Sequence, residues 1–279
     1  MDIDRLYLEV TRMCNLECEH CLRGDEEKEF MSPETIVNTL KGVKKIRKLL
    51  ITGGEPLLAI RQIRLIVELI KKENIQVDSI LLITNSTIMS ENVLAVLREL
   101  ASVSQLFLKL SFDMFHYIEL NRLNLLEKRK ANAQVFKEEF GAEDYGYFED
   151  GDHRTKELIE SKGRALKITE ERLEEINSMS KKQYELSDVL GLTHGPLYYY
   201  DLEIDEKNNS IYGIVNVDVG GNIVAAGQSF ASEDEEHNKY SSNINELGLL
   251  EALKNYDAYY EEQQRAMEEK KKLIKYYFV

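Results

Sequence analysis

The 279-residue chain has only three cysteines, all between residues 14 and 21. Three clustered thiols cannot staple distant elements, so a disulfide framework is excluded; the usage suits a reducing compartment and a metal or cluster. Long hydrophobic runs are missing too, and none approaches the roughly 18–20 residues that span a bilayer. The opening stretch MDIDRLYLEV lacks the basic and apolar regions of an export signal. A cytoplasmic location without membrane attachment is therefore expected. Positive charge is scarce: 36 Lys and Arg stand against 50 Asp and Glu, a formal net charge of −14. That balance argues against a nucleic-acid partner bound through its phosphates, though it leaves room for a local basic pocket. With 43% hydrophobic and 31% charged residues, the chain can bury a core and is not disordered.

Apolar stretches of strand length alternate with helical patterns through the first half. LYLEVT (6–11), LLIT (49–52), ILLIT (80–84) and LFLKLSF (106–112) read as strands. Helices are expected from Ser32-Pro33-Glu34 to about residue 43, over 57–72, and from a capping Ser90 to about 101. Such alternation predicts a parallel sheet covered on both faces, an α/β fold built as a partial (β/α)6 TIM-like barrel. Residues 123–145 read as a helix plus an exposed loop, and 168–182 as a helix starting at Thr169. LYYYDLEI (197–204) and 211–227 read as strands, with a Gly220-Gly221-Asn222 hairpin turn. The acidic stretch 232–237 reads as a solvated loop, and 245–277 as a long helical tail. The expected division is a barrel over 1–205 and a small hairpin-and-helix extension over 206–279.

The cysteines form a C-x3-C-x2-C segment, Cys14, Cys18 and Cys21, directly after the first strand. With His20 they offer a structural zinc set, although His20 lies too close to its neighbours for easy tetrahedral closure. Three thiolates can also hold three irons of a [4Fe–4S] cluster and leave the fourth open. A chance group of buried cysteines is the bland alternative. Gly53-Gly54-Glu55-Pro56 ends the second strand, Thr84-Asn85-Ser86 the third and Ser111-Phe112-Asp113 the fourth. Each alone reads as turn or cap chemistry. In a parallel barrel, however, these ends share the face that carries active sites, which a zinc knuckle does not require.

The C-x3-C-x2-C after the first strand, followed by GGEP after the second, resembles the radical SAM superfamily from about Tyr7 to Asp113. The resemblance implies an enzyme that cleaves S-adenosylmethionine reductively at a [4Fe–4S] cluster. The 5′-deoxyadenosyl radical so formed takes a hydrogen atom from substrate. It assigns Cys14, Cys18 and Cys21 to the cluster. It further places Gly53, Gly54 and Glu55 at the methionine amino group, and Ser111, Asp113 and Asn85 near the carboxylate or ribose. His20 stands where the family commonly has an aromatic beside the adenine. His116 reads equally as a substrate-side or a helix-surface residue.

Lys162-Gly163-Arg164-Ala165 resembles a GRA element of peptide-modifying members, which would aim Arg164 at the S-adenosylmethionine carboxylate. The stretch 217–226 resembles the hairpin that opens their auxiliary-cluster (SPASM-like) domain. Ala226 stands in place of its cysteine, so the extension is expected to be a scaffold without a cluster. Peptide modification, such as epimerisation or cross-linking, is the activity implied. The start of the chain at the first strand implies that no leader-binding domain precedes it. A glycyl-radical activating enzyme, a small-molecule enzyme and a non-enzymatic zinc or cluster module are the alternatives. A flavodoxin- or ferredoxin-type electron donor is the implied partner.

Overall fold

Strand β1 (Asp2–Glu9) lies at the middle of the sheet, with parallel neighbours on both sides. On one side follow β2 (Lys45–Thr52), β3 (Gln76–Thr84), β4 (Gln105–Ser111) and the short β5 (Glu143–Tyr145), all parallel. The structure, a computed structural model, describes residues 1–145, 156–159, 163–180, 183–186, 202–224 and 242–256. Lys162, residues 197–201 of an expected strand, Ala226, the acidic stretch 232–237 and the residues beyond 256 lie outside the described residues.

Local chemistry accounts for the helix starts. Helix α1 (Pro33–Leu40) begins where Ser32 Oγ accepts from Thr35 N at 3.0 Å, with Pro33 in the first turn. Helix α3 (Glu91–Val103) is capped by Ser90 Oγ, which accepts from Val93 N at 3.3 Å. Helix α2 (Ile60–Lys72) starts later than its apolar pattern suggests. Glu55 accepts from Leu57 N, and Pro56–Leu58 winds as a 3-10 turn before the α-helix takes over. Helices α4 (Met114–Arg122) and α5 (Leu126–Phe140) follow β4.

The four strands expected in the first half are present but begin earlier, because their first residues pair although they are polar. Strand β5 has the sequence EDY and carries no strand signal of its own. It forms because β4 offers it an edge, with Lys109 and Glu143 pairing in charge across the two strands.

Beyond β5 the chain departs from a simple continuation of the barrel. Strand β6 (Lys156–Ile159) pairs with β7 (Gln183–Leu186) in a separate parallel pair, with helix α6 (Glu170–Met179) between them in sequence. Strand β8 (Glu203–Asp205) runs antiparallel to β9 (Ser210–Val217), so residue 206 falls in the turn of this hairpin. Strand β9 lies parallel to β1, with Leu8 opposite Val217. Strands β10 (Asn222–Val224) and β11 (Ser242–Asn243) extend the edge antiparallel, followed by the short helix α7 (Ile244–Leu247).

The main core packs fully buried Leu6, Leu8, Ile46, Ile51, Ile80 and Leu82 against Ile63, Ile66, Val96 and Leu97 of the helices. Each such side chain contributes roughly 1.5–3 kcal/mol of burial. A second cluster joins Leu16 and Cys18 to Phe115, Ala165, Ile176 and Tyr184. It seats the cysteine loop on an apolar floor made by α4, the 163–167 turn and α6. Among the described residues, no helix is long and apolar enough to cross a membrane.

Candidate active site

The C-terminal ends of β1, β2, β3, β4 and β9 face the same way, because these strands are parallel. The loop leaving β1 carries Cys14 and Cys21, both half-buried, and Cys18, which is buried; all three are free thiols.

This loop is fixed along its whole length. Thr11 Oγ1 accepts from Met13 N at 3.0 Å and donates to Glu29 O at 2.6 Å. The residues ending β2 then run against it: Gly54 N donates to Thr11 O and Glu55 N to Met13 O, both at 2.8 Å. A Cβ on Gly53 would lie 2.3 Å from Thr11 O, and one on Gly54 2.3 Å from Met13 O. Gly53 also holds φ at +142°, a backbone region that favours glycine. The close approach of the cysteine loop's backbone thus requires glycine at both positions.

Glu55, which the resemblance places at the methionine amino group, has partners within the protein as well. It is fully buried, and its Oε1 accepts from Leu57 N at 3.0 Å and Thr84 Oγ1 at 2.7 Å. Its Oε2 accepts from Asn85 N at 2.7 Å. The carboxylate therefore ties the ends of β2 and β3 together. Burial pushes its pKa up to about 7, against the opposing pull of the Asn85, Thr84 and Leu57 donors. Asn85 in turn donates to Asn15 Oδ1 at 3.0 Å, with its Nδ2 4.0 Å from Cys14 Sγ. Its Oδ1 accepts from Thr87 N and Thr87 Oγ1.

At the end of β4, Ser111 is half-buried and lies opposite Tyr145. Asp113 caps α4: its Oδ1 accepts from His116 N at 2.9 Å and sits 2.8 Å from His116 Nδ1. Its Oδ2 lies 3.0 Å from His20 Nε2. Burial would raise the Asp113 carboxyl, but the His116 and His20 imidazoles outweigh it and hold it well below the usual range. His20 also stacks on Phe115, with ring centroids 4.6 Å apart and planes inclined by 17°. One carboxylate thus orients both imidazoles beside the cysteine loop.

Arg164 sits in the five-residue turn Gly163–Lys167. Its backbone N donates to Cys21 O at 3.0 Å and its Nε to Cys18 O at 2.9 Å. The carboxylate-binding role implied by resemblance is therefore joined by another, that of a brace across two cysteine carbonyls. Gly163 packs so tightly here that a Cβ would lie 2.5 Å from Cys21 O.

Sequence reading passes over further anchors. Glu119, buried on α4, accepts from Glu17 N at 2.9 Å and pairs with Arg122. Arg172 of α6 pairs with Glu19 at 2.6 Å. Glu9, Arg12, Arg23 and Asp218 form an ion cluster at the loop's base. The contacts of Glu119 with Glu17, of Arg172 with Glu19 and of Glu9 with Arg23 carry no local motif, because those partners are distant in sequence.

The thiols discriminate between metal groups. Among the described residues, the set whose ligand atoms all fall within 4.8 Å of one another is His20, Asp113 and His116, without a cysteine. The three sulfurs are spread more widely than one tetrahedral ion requires, as ligands to three separate irons would be. Burial pushes the Cys14 thiol up to about 11, and burial together with the Asp113 charge pushes Cys18 higher still. Buried thiolates therefore need a cation beside them, and a cluster supplies it. The residues fit a [4Fe–4S] cluster.

Residues 8–141 match the Radical SAM superfamily. The matched segment, just under half of the chain, is similar to a class of enzymes whose cofactors are S-adenosylmethionine and a [4Fe–4S] cluster. Over 142 residues it is 30% identical to the GTP 3′,8-cyclase of Clostridium perfringens, covering 46% of this chain and 41% of that one. Over 106 residues it is 38% identical to the probable GTP 3′,8-cyclase of Methanocaldococcus jannaschii, covering 35% and 33%. The chain therefore spans less than half the length of these curated relatives. Native anSMEcpe with bound AdoMet and a peptide superimposes with a TM-score of 0.52 at 17% identity, over 92% of this chain and 82% of that one. Streptococcus suis SuiB bound to precursor peptide SuiA gives 0.50 at 14% identity, over 90% and 64%. At such identities the likeness is one of fold.

Proposed function

We propose that this chain is a radical SAM enzyme acting on a peptide. The observation that carries the reading is the spread of three buried or half-buried thiols on a loop braced from four other elements, at the polar ends of parallel strands. Cys14, Cys18 and Cys21 hold the cluster. The Gly53-Gly54 backbone, Asn85, Ser111 and Asp113 line the place for S-adenosylmethionine, with the His20 ring oriented toward the adenine by Asp113 and Phe115. When bound, these cofactors supply one-electron cleavage of the sulfonium bond and a 5′-deoxyadenosyl radical that takes hydrogen from substrate. The chain's own part is to hold the thiolates, orient the imidazole and keep the loop from moving as charge changes.

The peptide class is supported by the GRA segment, by the β9–β10 hairpin, and by the peptides held in the two solved structures that share the fold. A small-molecule substrate is the second reading, favoured by the identity to GTP 3′,8-cyclases over less than half of the chain. An electron donor of flavodoxin or ferredoxin type completes the proposal.

Anaerobic reconstitution should give brown protein with about four irons per chain. With dithionite it should convert S-adenosylmethionine to 5′-deoxyadenosine. Deuterium from a labelled candidate peptide should enter the 5′-deoxyadenosine, whereas transfer from a labelled nucleotide would select the second reading. Colourless protein with a single zinc would end both.

A further inference from the structure

The three cysteines are flanked by two arginines, Arg12 two residues before Cys14 and Arg23 two residues after Cys21. Both reach back to one carboxylate. Glu9, the last residue of β1, is 0% exposed. Its Oε1 accepts from Arg23 Nε at 3.0 Å, and its Oε2 lies 3.5 Å from Arg12 Nε. Val219 N, at the turn after β9, donates to the same Oε2 at 3.4 Å.

The arginines' remaining groups reach outward. Arg23 donates to Thr52 Oγ1 at the end of β2, at 3.2 Å. Arg12 pairs with Glu27 at 3.2 Å and lies 3.8 Å from Asp218 in the hairpin turn.

We propose that Glu9 is a positioning residue for the cluster: a buried clasp that closes the cysteine loop at both ends and joins it to the β9–β10 hairpin. The inference rests on the radical SAM reading. Burying an ion is costly, and an apolar side chain at position 9 would fill the same space without that cost. What such a side chain cannot do is fix two guanidinium groups at one point. The clasp also gives the hairpin a task that needs no second cluster, since Val219 N and Asp218 complete it.

The test is the rate at which a chelator strips iron from the reconstituted protein. Glu9→Gln keeps the shape and removes the charge, and should release iron about tenfold faster than the parent chain. The electron paramagnetic resonance spectrum of its reduced cluster should change, while the far-ultraviolet circular dichroism should not. Arg23→Gln alters a half-buried side chain and should also speed release. The double variant should release iron no faster than the worse single variant, because both break one clasp. Additive effects, or iron release at the parental rate in Arg23→Gln, would overturn the proposal. Arg23→Gln alone decides if Glu9→Gln does not fold. A parent chain that takes up no cluster would instead overturn the radical SAM reading.

Discussion

A glycine at position 54 is demanded by geometry. A methyl group there would lie 2.3 Å from Met13 O and 2.6 Å from Met13 C, backbone atoms that cannot swing aside. Gly54→Ala must push the cysteine loop outward and lose the 2.8 Å bond from Glu55 N to Met13 O. Overpacking of this kind costs about 1–3 kcal/mol. The reconstituted variant should retain well under the parental iron per chain while its circular dichroism stays close to the parent's; parental iron content would show that the loop tolerates the shift. Glu55 makes a second prediction at this scale. Its folded pKa of about 7 lies above the ordinary 4.5, so its contribution to stability is full below the lower value and lost as pH rises through the higher. A shift of that size corresponds to on the order of 3 kcal/mol. Chemical denaturation of the apo chain should show stability falling between those pH values relative to Glu55→Gln, which has no charge to bury. Parallel pH profiles for the two chains would mean that the carboxylate is not desolvated as described.

Elements are where sequence and structure part company, and the reason is distance along the chain. Helix starts at Ser32, Ser90 and Thr169 were legible because a cap bonds its own helix within three residues. The β9–β10 turn was legible for the same reason. Strand β5 was not, since EDY becomes a strand only by lying against β4. Nor was the place of β9, because nothing local says that residues 210–217 will pair with the first strand. At the candidate site the cysteines, the glycine pair and Asp113 stood out by motif, whereas Glu9, Glu119 and the carbonyl-bracing role of Arg164 depend on long-range contacts. One such contact can be tested on α1. Asn245 Nδ2 donates to Thr35 Oγ1 at 3.0 Å, and its Oδ1 accepts from Asn38 Nδ2 at 3.1 Å, hooking the helix to the segment after β11. Asn245→Ala should cost about 1 kcal/mol, felt as faster amide exchange in 242–256 and unchanged exchange in β2 and β3. Uniform acceleration across the sheet would mean that the hook supports the whole fold.

For the whole molecule, the question is whether a barrel over 1–205 can stand without the segment that follows. The sheet argues that it cannot. Strand β1 has β2 on one side and β9 on the other, and β9 pairs with it from Asp2 opposite Ser210 to Leu8 opposite Val217. Removing residues 206–279 would leave the backbone groups of that β1 edge without a partner strand. It would also uncover the core side chains that Val215 and Val217 cover, both 0% exposed. The Glu9 clasp would lose Val219 N and Asp218 in the same cut. A chain ending at residue 205 should therefore be recovered as aggregate, or as soluble protein that binds a hydrophobic dye and holds no cluster. The full chain should unfold in denaturant with the sheet and hairpin melting together. A truncated chain that stays monomeric, folded and brown would show the barrel to be autonomous, with the hairpin an addition to it.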